Sequence, residues 1–131
     1  MTAAGFLSVA LGAGIGAWLR WVLSLSYNAS LSFLPLGTLI ANLVGAFLIG
    51  VTVEYLAINP SISPQIRLLI VTGLLGALTT FSTFSLETVN MLMRQQYIFA
   101  MTNIFAHVFG SILFTLSGIY IVRGIKKIII S

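Results

Sequence analysis

Four apolar stretches, each about as long as a bilayer is thick, leave this chain little choice of solvent. They run roughly over residues 5–25, 36–57, 66–93 and 98–122, and a membrane-spanning helix needs about 20 such residues. Three short connections separate them: 26–35, 58–65 with Pro60 and Pro64, and 94–97. Hydrocarbon offers no partner for a bare peptide group, so each stretch is expected to be a helix. The expected fold is an all-α membrane protein, one four-helix transmembrane domain over residues 1–131. Composition agrees, since a chain with 59% hydrophobic and 6% charged residues has more apolar surface than a soluble core of this size can hide.

Charge narrows the partners. Six bases stand against two acids, Glu54 and Glu87. Arg123, Lys126 and Lys127 cluster just after the last span, the place of a cytoplasmic membrane flank and not of a nucleic-acid surface. With the N-terminus inside, four bases (Arg67, Arg123, Lys126, Lys127) fall on that side and two (Arg20, Arg94) on the other, a mild orientation bias. No cysteine is present, which excludes disulfides and thiolate metal sites. The N-terminus lacks a basic region ahead of its apolar run, so the first span reads as retained and not as a signal peptide. No linker or internal repeat divides the chain.

Polar residues inside the spans carry the functional information. In the third, Gly73 and Gly76 precede a cluster of hydroxyls: Thr79, Thr80, Ser82, Thr83 and Ser85. Such residues compete for nearby backbone, and the glycines loosen the turn before them. A break in the third helix is therefore expected, and irregular backbone at membrane depth belongs in a protein-lined or wet cavity. Phe81 and Phe84 lie within the cluster, three apart and so on one helix face.

The first span carries Gly12 and Gly16, a spacing that lets two helix backbones meet closely. Arg20, between Trp18 and Trp21, is open to two readings: a snorkelling interfacial anchor, or a cation in a water-filled vestibule. The second span carries Gly37, Ala41 and Gly45 with Thr38 and Asn42 beside them. An amide this deep must find a helix partner, a hydroxyl or a permeant species. In the fourth span Asn103, His107, Ser111 and Thr115 recur at i+4, with Gly118 on the same side. That stripe suits either a polar packing seam or a path for water or an anion. His107 has no second histidine with which to share a metal, and a packing role competes with a ligand role.

Taken together these groups are neutral and mostly donors, and no carboxylate lies near the middle of a span. Cation and proton paths generally use intramembrane acids, whereas hydrogen-bond donors suit a small anion stripped of water. Phenyl edges add a weak positive potential. A small four-helix multidrug or cation transporter is the alternative, but the carboxylate it needs is missing from the first span. A membrane enzyme such as a small lipid kinase needs several carboxylates for magnesium, so no enzyme activity and no organic cofactor are expected. Four short helices enclose little volume, so oligomerisation is expected.

Three segments, Gly12-Ala-Gly-Ile-Gly-Ala-Trp-Leu-Arg20, Gly37-Thr-Leu-Ile-Ala-Asn42-Leu-Val-Gly45 and Gly76-Ala-Leu-Thr-Thr-Phe-Ser-Thr-Phe-Ser85, occur in the order and spacing of a known family. The chain resembles the small fluoride channels of the Fluc, or CrcB, family over nearly its whole length. The resemblance implies passive fluoride export across a bacterial inner membrane, by an antiparallel, dual-topology homodimer with two pores at its interface. It implies Phe81 and Phe84 as paired pore rings, Asn42 as the amide at the pore, and Ser111 and Thr115 in a hydroxyl track. Ser82 and Thr83 would add donors near the rings, and Arg20 would stand near the vestibule. It also implies a structural sodium ion at the dimer centre, held by the backbone carbonyls of Gly76 and Thr79. The four-to-two basic count departs slightly from the balance expected of a dual-topology chain.

Overall fold

The computed structural model describes residues 2–31 and 33–130. Ser32, within the 26–35 connection, lies outside them, as do Met1 and Ser131. The described residues form helices and connections, with no strand among them. Four helices are long and apolar enough to cross a membrane: Ala3–Tyr27, Leu36–Ile58, Pro64–Met93 and Tyr97–Ile128.

Local chemistry sets their ends. The Thr2 hydroxyl caps the first helix by accepting from Gly5 N at 3.2 Å. Ser63 does the same for the third, accepting from Ile66 N, and Pro64 occupies the first turn, where its missing N–H is harmless. The third helix closes with Gln96 N on Met91 O and Gln95 N on Leu92 O, both at 2.9 Å. That pair is a Schellman closure, and Gln95 takes its left-handed position at φ 59°. The helical run that begins at Tyr97 continues for 34 residues to Ile130, about 51 Å at 1.5 Å per residue. Nothing after residue 122 breaks it, so the basic cluster sits on helix beyond a hydrocarbon core about 30 Å thick. There Arg123 meets Glu54 of the second helix at 3.0 Å.

The third helix is irregular twice. Leu68–Leu75 is wound as a wide π-turn segment. Thr79 and Thr80 then take extended dihedrals before the helix resumes as Phe81–Met93. Two packing seams follow. The second helix lies along the fourth, and the first lies along the 64–78 limb of the third.

The seam between the first and third helices is backbone against backbone. A Cβ at Gly16 would run into the carbonyl oxygen of Leu74, and one at Gly12 into that of Leu69. Gly14, between them, faces open space. Gly16→Ala should therefore cost on the order of 3 kcal/mol of overpacking, because a helix backbone cannot yield as a side chain can. Gly14→Ala should be neutral or stabilising by up to about 1 kcal/mol, the helix-propensity difference. Heat inactivation of the detergent-solubilised protein, followed by size exclusion, compares the two. Equal midpoints would dismiss the close seam.

Candidate functional site

Where the third helix is interrupted, its backbone would be left with unpaired groups in a water-poor setting. Neighbouring helices supply the missing partners. Asn42, from the second helix, presents its amide to Thr80 as a peptide would. Thr80 N donates to Asn42 Oδ1 at 2.7 Å, and Asn42 Nδ2 donates to Thr80 O at 3.0 Å. Arg20, from the first helix, donates from Nε to Ala77 O at 2.9 Å. A cation at the end of the 64–78 limb also faces the negative pole of that limb's peptide dipoles.

The hydroxyl cluster is largely consumed by the same task. Thr80 Oγ1 caps the resumed helix by accepting from Thr83 N at 3.2 Å, and it donates to Thr83 Oγ1 at 3.1 Å. Thr79 Oγ1 donates to Leu75 O at 2.9 Å, and Ser85 Oγ to Phe81 O at 2.8 Å. Ser82 Oγ lies 3.2 Å from Thr80 Oγ1. Thr79, Thr80 and Ser85 thus bond to local backbone, as their geometry favours, while Ser82 and Thr83 meet the Thr80 hydroxyl.

Two diversions follow for the carbonyls of the break. Thr80 N–H, which would close a helical turn on Gly76 O, goes to Asn42. Thr83 N–H, which would close one on Thr79 O, goes to Thr80 Oγ1. Gly76 O and Thr79 O are thereby left out of the helical ladder.

Beside the break lies a cavity of about 410 Å3 between the second, third and fourth helices. Asn42, Phe81, Phe84, Ser111 and Thr115 line it together with Thr79, Thr80 and His107; Ala46, Ile49 and Val108 supply apolar wall. No acid is among these residues. Phe84 is buried, whereas Phe81 is 78% exposed and forms the rim. Their ring centroids are 5.5 Å apart and tilted at 60°, a geometry that sets edge toward face. Thr115 Oγ1 donates to Ala46 O at 3.0 Å across the seam between the second and fourth helices. The Ser111 hydroxyl makes no hydrogen bond to the described residues and lies at the cavity wall, where it is free to donate.

The site anticipated from sequence thus divides. Asn42, Phe81, Phe84, Ser111 and Thr115 come together at one cavity, with Thr79 contributing to its wall. Ser82, Thr83, Gly76 and Arg20 do not line it; Arg20 acts one peptide away, on Ala77. The sequence leaves His107 open to a packing or a ligand role. It lines the cavity, stacks on Phe84 with centroids 4.6 Å apart, and faces Asn42 Nδ2 through Nδ1 at 3.0 Å. The i+4 stripe of the fourth helix was the signal that could have singled it out.

A second polar cluster lies toward the far end of the third helix. Thr38, fully buried, donates from Oγ1 to Glu87 Oε1 at 2.6 Å, while Asn28 Oδ1 accepts from Thr38 N at 3.0 Å. Glu87, Asn28, Asn90, Arg94 and Gln96 border a smaller cavity of about 210 Å3 there. Among the described residues no group of three or more histidines and acids is placed to hold a metal through side chains.

Residues 7–119 match the family described as CrcB-like protein, Camphor Resistance (CrcB). The chain is 50% identical over 121 residues to a protein of Cupriavidus metallidurans named fluoride-specific ion channel FluC, covering 92% of this chain and 96% of that one. Proteins of the same name from Pseudomonas syringae and Pseudomonas aeruginosa are 48% and 52% identical, with 86% and 87% of this chain covered, and 89% and 90% of theirs.

Proposed function

This chain belongs to the CrcB family, and from that membership we propose that it is a fluoride-selective ion channel, a multi-pass protein of the bacterial inner membrane that lets fluoride leave the cytoplasm passively. The observation that carries the reading is the acid-free cavity beside the interrupted helix, walled by two phenyl rings and free or partly committed hydroxyls. A dehydrated anion needs donors that replace its water without holding it, and several weak neutral sites in sequence satisfy both demands. Ser111 is an uncommitted donor, Phe81 and Phe84 offer ring edges, and Asn42 holds the interruption open. Ser82 and Thr83 act behind the rings through the Thr80 cap, and Arg20 attracts anions while it caps Ala77. No bond is made or broken.

The working unit in this reading is a homodimer of oppositely inserted copies with two pores along its interface. The exposure of Phe81 at the rim, and of Gly76 beside the break, supports it, because a second copy would cover both. A structural sodium ion at the centre would be held by Gly76 O and Thr79 O of each copy. These carbonyls fit a hard cation, since Asn42 and the Thr80 cap take the N–H groups that would otherwise occupy them. Bound there, the ion would supply fixed positive charge between the two copies.

Proteoliposomes loaded with potassium fluoride should release fluoride when a potassium ionophore removes the opposing voltage, and those loaded with potassium chloride should hold their chloride. Retained fluoride, or chloride released as fast, would overturn the reading.

A further inference from the structure

Most of the chain's bases gather at one end of the bundle, where the second and fourth helices finish and the third begins. Arg123 pairs with Glu54 of the second helix at 3.0 Å, and Lys126, one turn on, attracts the same carboxylate. Arg67, from the start of the third helix, donates from Nη2 to Leu56 O at 3.1 Å and to Asn59 O at 3.4 Å. Its Nε donates to Ile62 O at 3.3 Å, and its Nη1 has no hydrogen bond among the described residues. The end of a helix is a negative pole, which accounts for Arg67. It does not account for the lysines. Lys126 and Lys127 are exposed and make no ion pair among the described residues.

Winding sorts the end of the fourth helix by chemistry. At about 100° per residue, Ile121, Ile125 and Ile128 fall within about 60° of one another, and Arg123, Lys126 and Lys127 gather on the opposite side. All six are exposed. An apolar face on a helix that is leaving the hydrocarbon core belongs at the headgroup boundary. The basic face is thereby held at the level of lipid phosphates.

An apolar trough of about 410 Å3 begins at the same end, between the second and third helices. Val53, Leu56, Ala57, Leu68 and Val71 wall it, and Arg67 lines it too. Val53 is the neighbour of Glu54, so trough and ion pair share the last turns of the second helix.

We propose that this end of the protein is a docking surface for an anionic phospholipid. Arg67, Lys126 and Lys127 hold the headgroup phosphate beside the end of the second helix, and one acyl chain lies in the trough. The proposal goes beyond the fluoride reading and needs only the membrane placement of the chain. Charge complementarity selects the occupant: a zwitterionic lipid carries an ammonium that the cations repel, and free phosphate brings nothing to the trough. Glu54 weakens the attraction, because its carboxylate occupies Arg123.

Full-length protein in neutral detergent, given equal amounts of phosphatidylglycerol and phosphatidylcholine with the same acyl chains, tests this by native mass spectrometry of the retained lipids. Phosphatidylglycerol should be retained about tenfold more, since each cation near the surface contributes about fivefold. Lys126→Gln combined with Lys127→Gln should abolish the preference. Glu54→Gln should raise it about fivefold with the thermal midpoint unchanged, because an exposed ion pair contributes little to stability. Ala57→Trp, at an exposed position, should fill the trough and cut retention of both lipids several-fold without altering a charge. Glycerophosphoglycerol, the headgroup without chains, should not displace the lipid. Equal retention of the two lipids, or an unchanged preference in the lysine double variant, overturns the proposal. Displacement by glycerophosphoglycerol reduces the site to a phosphate contact and overturns the lipid. Wild-type retention by Ala57→Trp overturns the trough, and elution of that variant as a smaller species on a sizing column gives the trough to a second copy of the chain instead. None of these readouts uses fluoride, so the channel reading stands or falls separately.

Discussion

Asn42→Leu is expected to destabilise the protein by about 2–5 kcal/mol and to reduce fluoride release by more than about tenfold. The size follows from how many groups one side chain serves. Asn42 pairs both the N–H and the C=O of Thr80 and supplies the donor opposite His107 Nδ1. Leucine matches the volume and replaces none of the three bonds. A polar group stripped of its partner costs about 1–3 kcal/mol where water does not replace it, and Asn42 and Thr80 are partly covered at the cavity wall. Release of Thr80 N–H should also let the interrupted turn close on Gly76 O, removing the recess that the break creates. Thermal midpoint and fluoride efflux on one purified preparation check the two effects. Wild-type values for both would reduce Asn42 to an incidental polar contact.

The spans were legible because twenty-residue hydropathy has few other meanings, and the glycine seam because i+4 small residues have a steric purpose. Which helix that seam would meet was not legible. The carbonyls that Gly12 and Gly16 admit belong to Leu68–Leu75, whose run Leu-Leu-Ile-Val-Thr-Gly-Leu-Leu carries no local mark of a wide turn. Asn42 announced itself as an amide in need of a partner, yet that partner is 38 residues away and is backbone, which no side-chain pattern reveals. The hydroxyl cluster read as a row of donors for a solute. Thr79, Thr80 and Ser85 are in fact committed to peptide groups, because an interrupted helix must first satisfy itself. His107 shows the same limit from the other side. Its place on the polar stripe was visible, but the direction of its N–H depends on a neighbour from a different helix.

Phe81→Ile and Phe84→Ile are expected to lower fluoride release by at least about tenfold each, for reasons that differ between the two rings. Phe84 is buried against His107 at 4.6 Å between centroids. Isoleucine there loses an aromatic contact worth about 0.5–1.5 kcal/mol as well as the ring edge, so a modest drop in thermal midpoint should accompany the loss of flux. Phe81 is 78% exposed in the single chain, and its replacement should leave that chain's folding unchanged. A loss of flux in Phe81→Ile with a normal midpoint, and with the dimer intact on a sizing column, would therefore isolate the ring's contribution to the passage from any contribution to the fold. The double variant should lose no more stability than Phe84→Ile alone. If both single variants conduct as the wild type does, the rings are packing and the path for fluoride lies elsewhere.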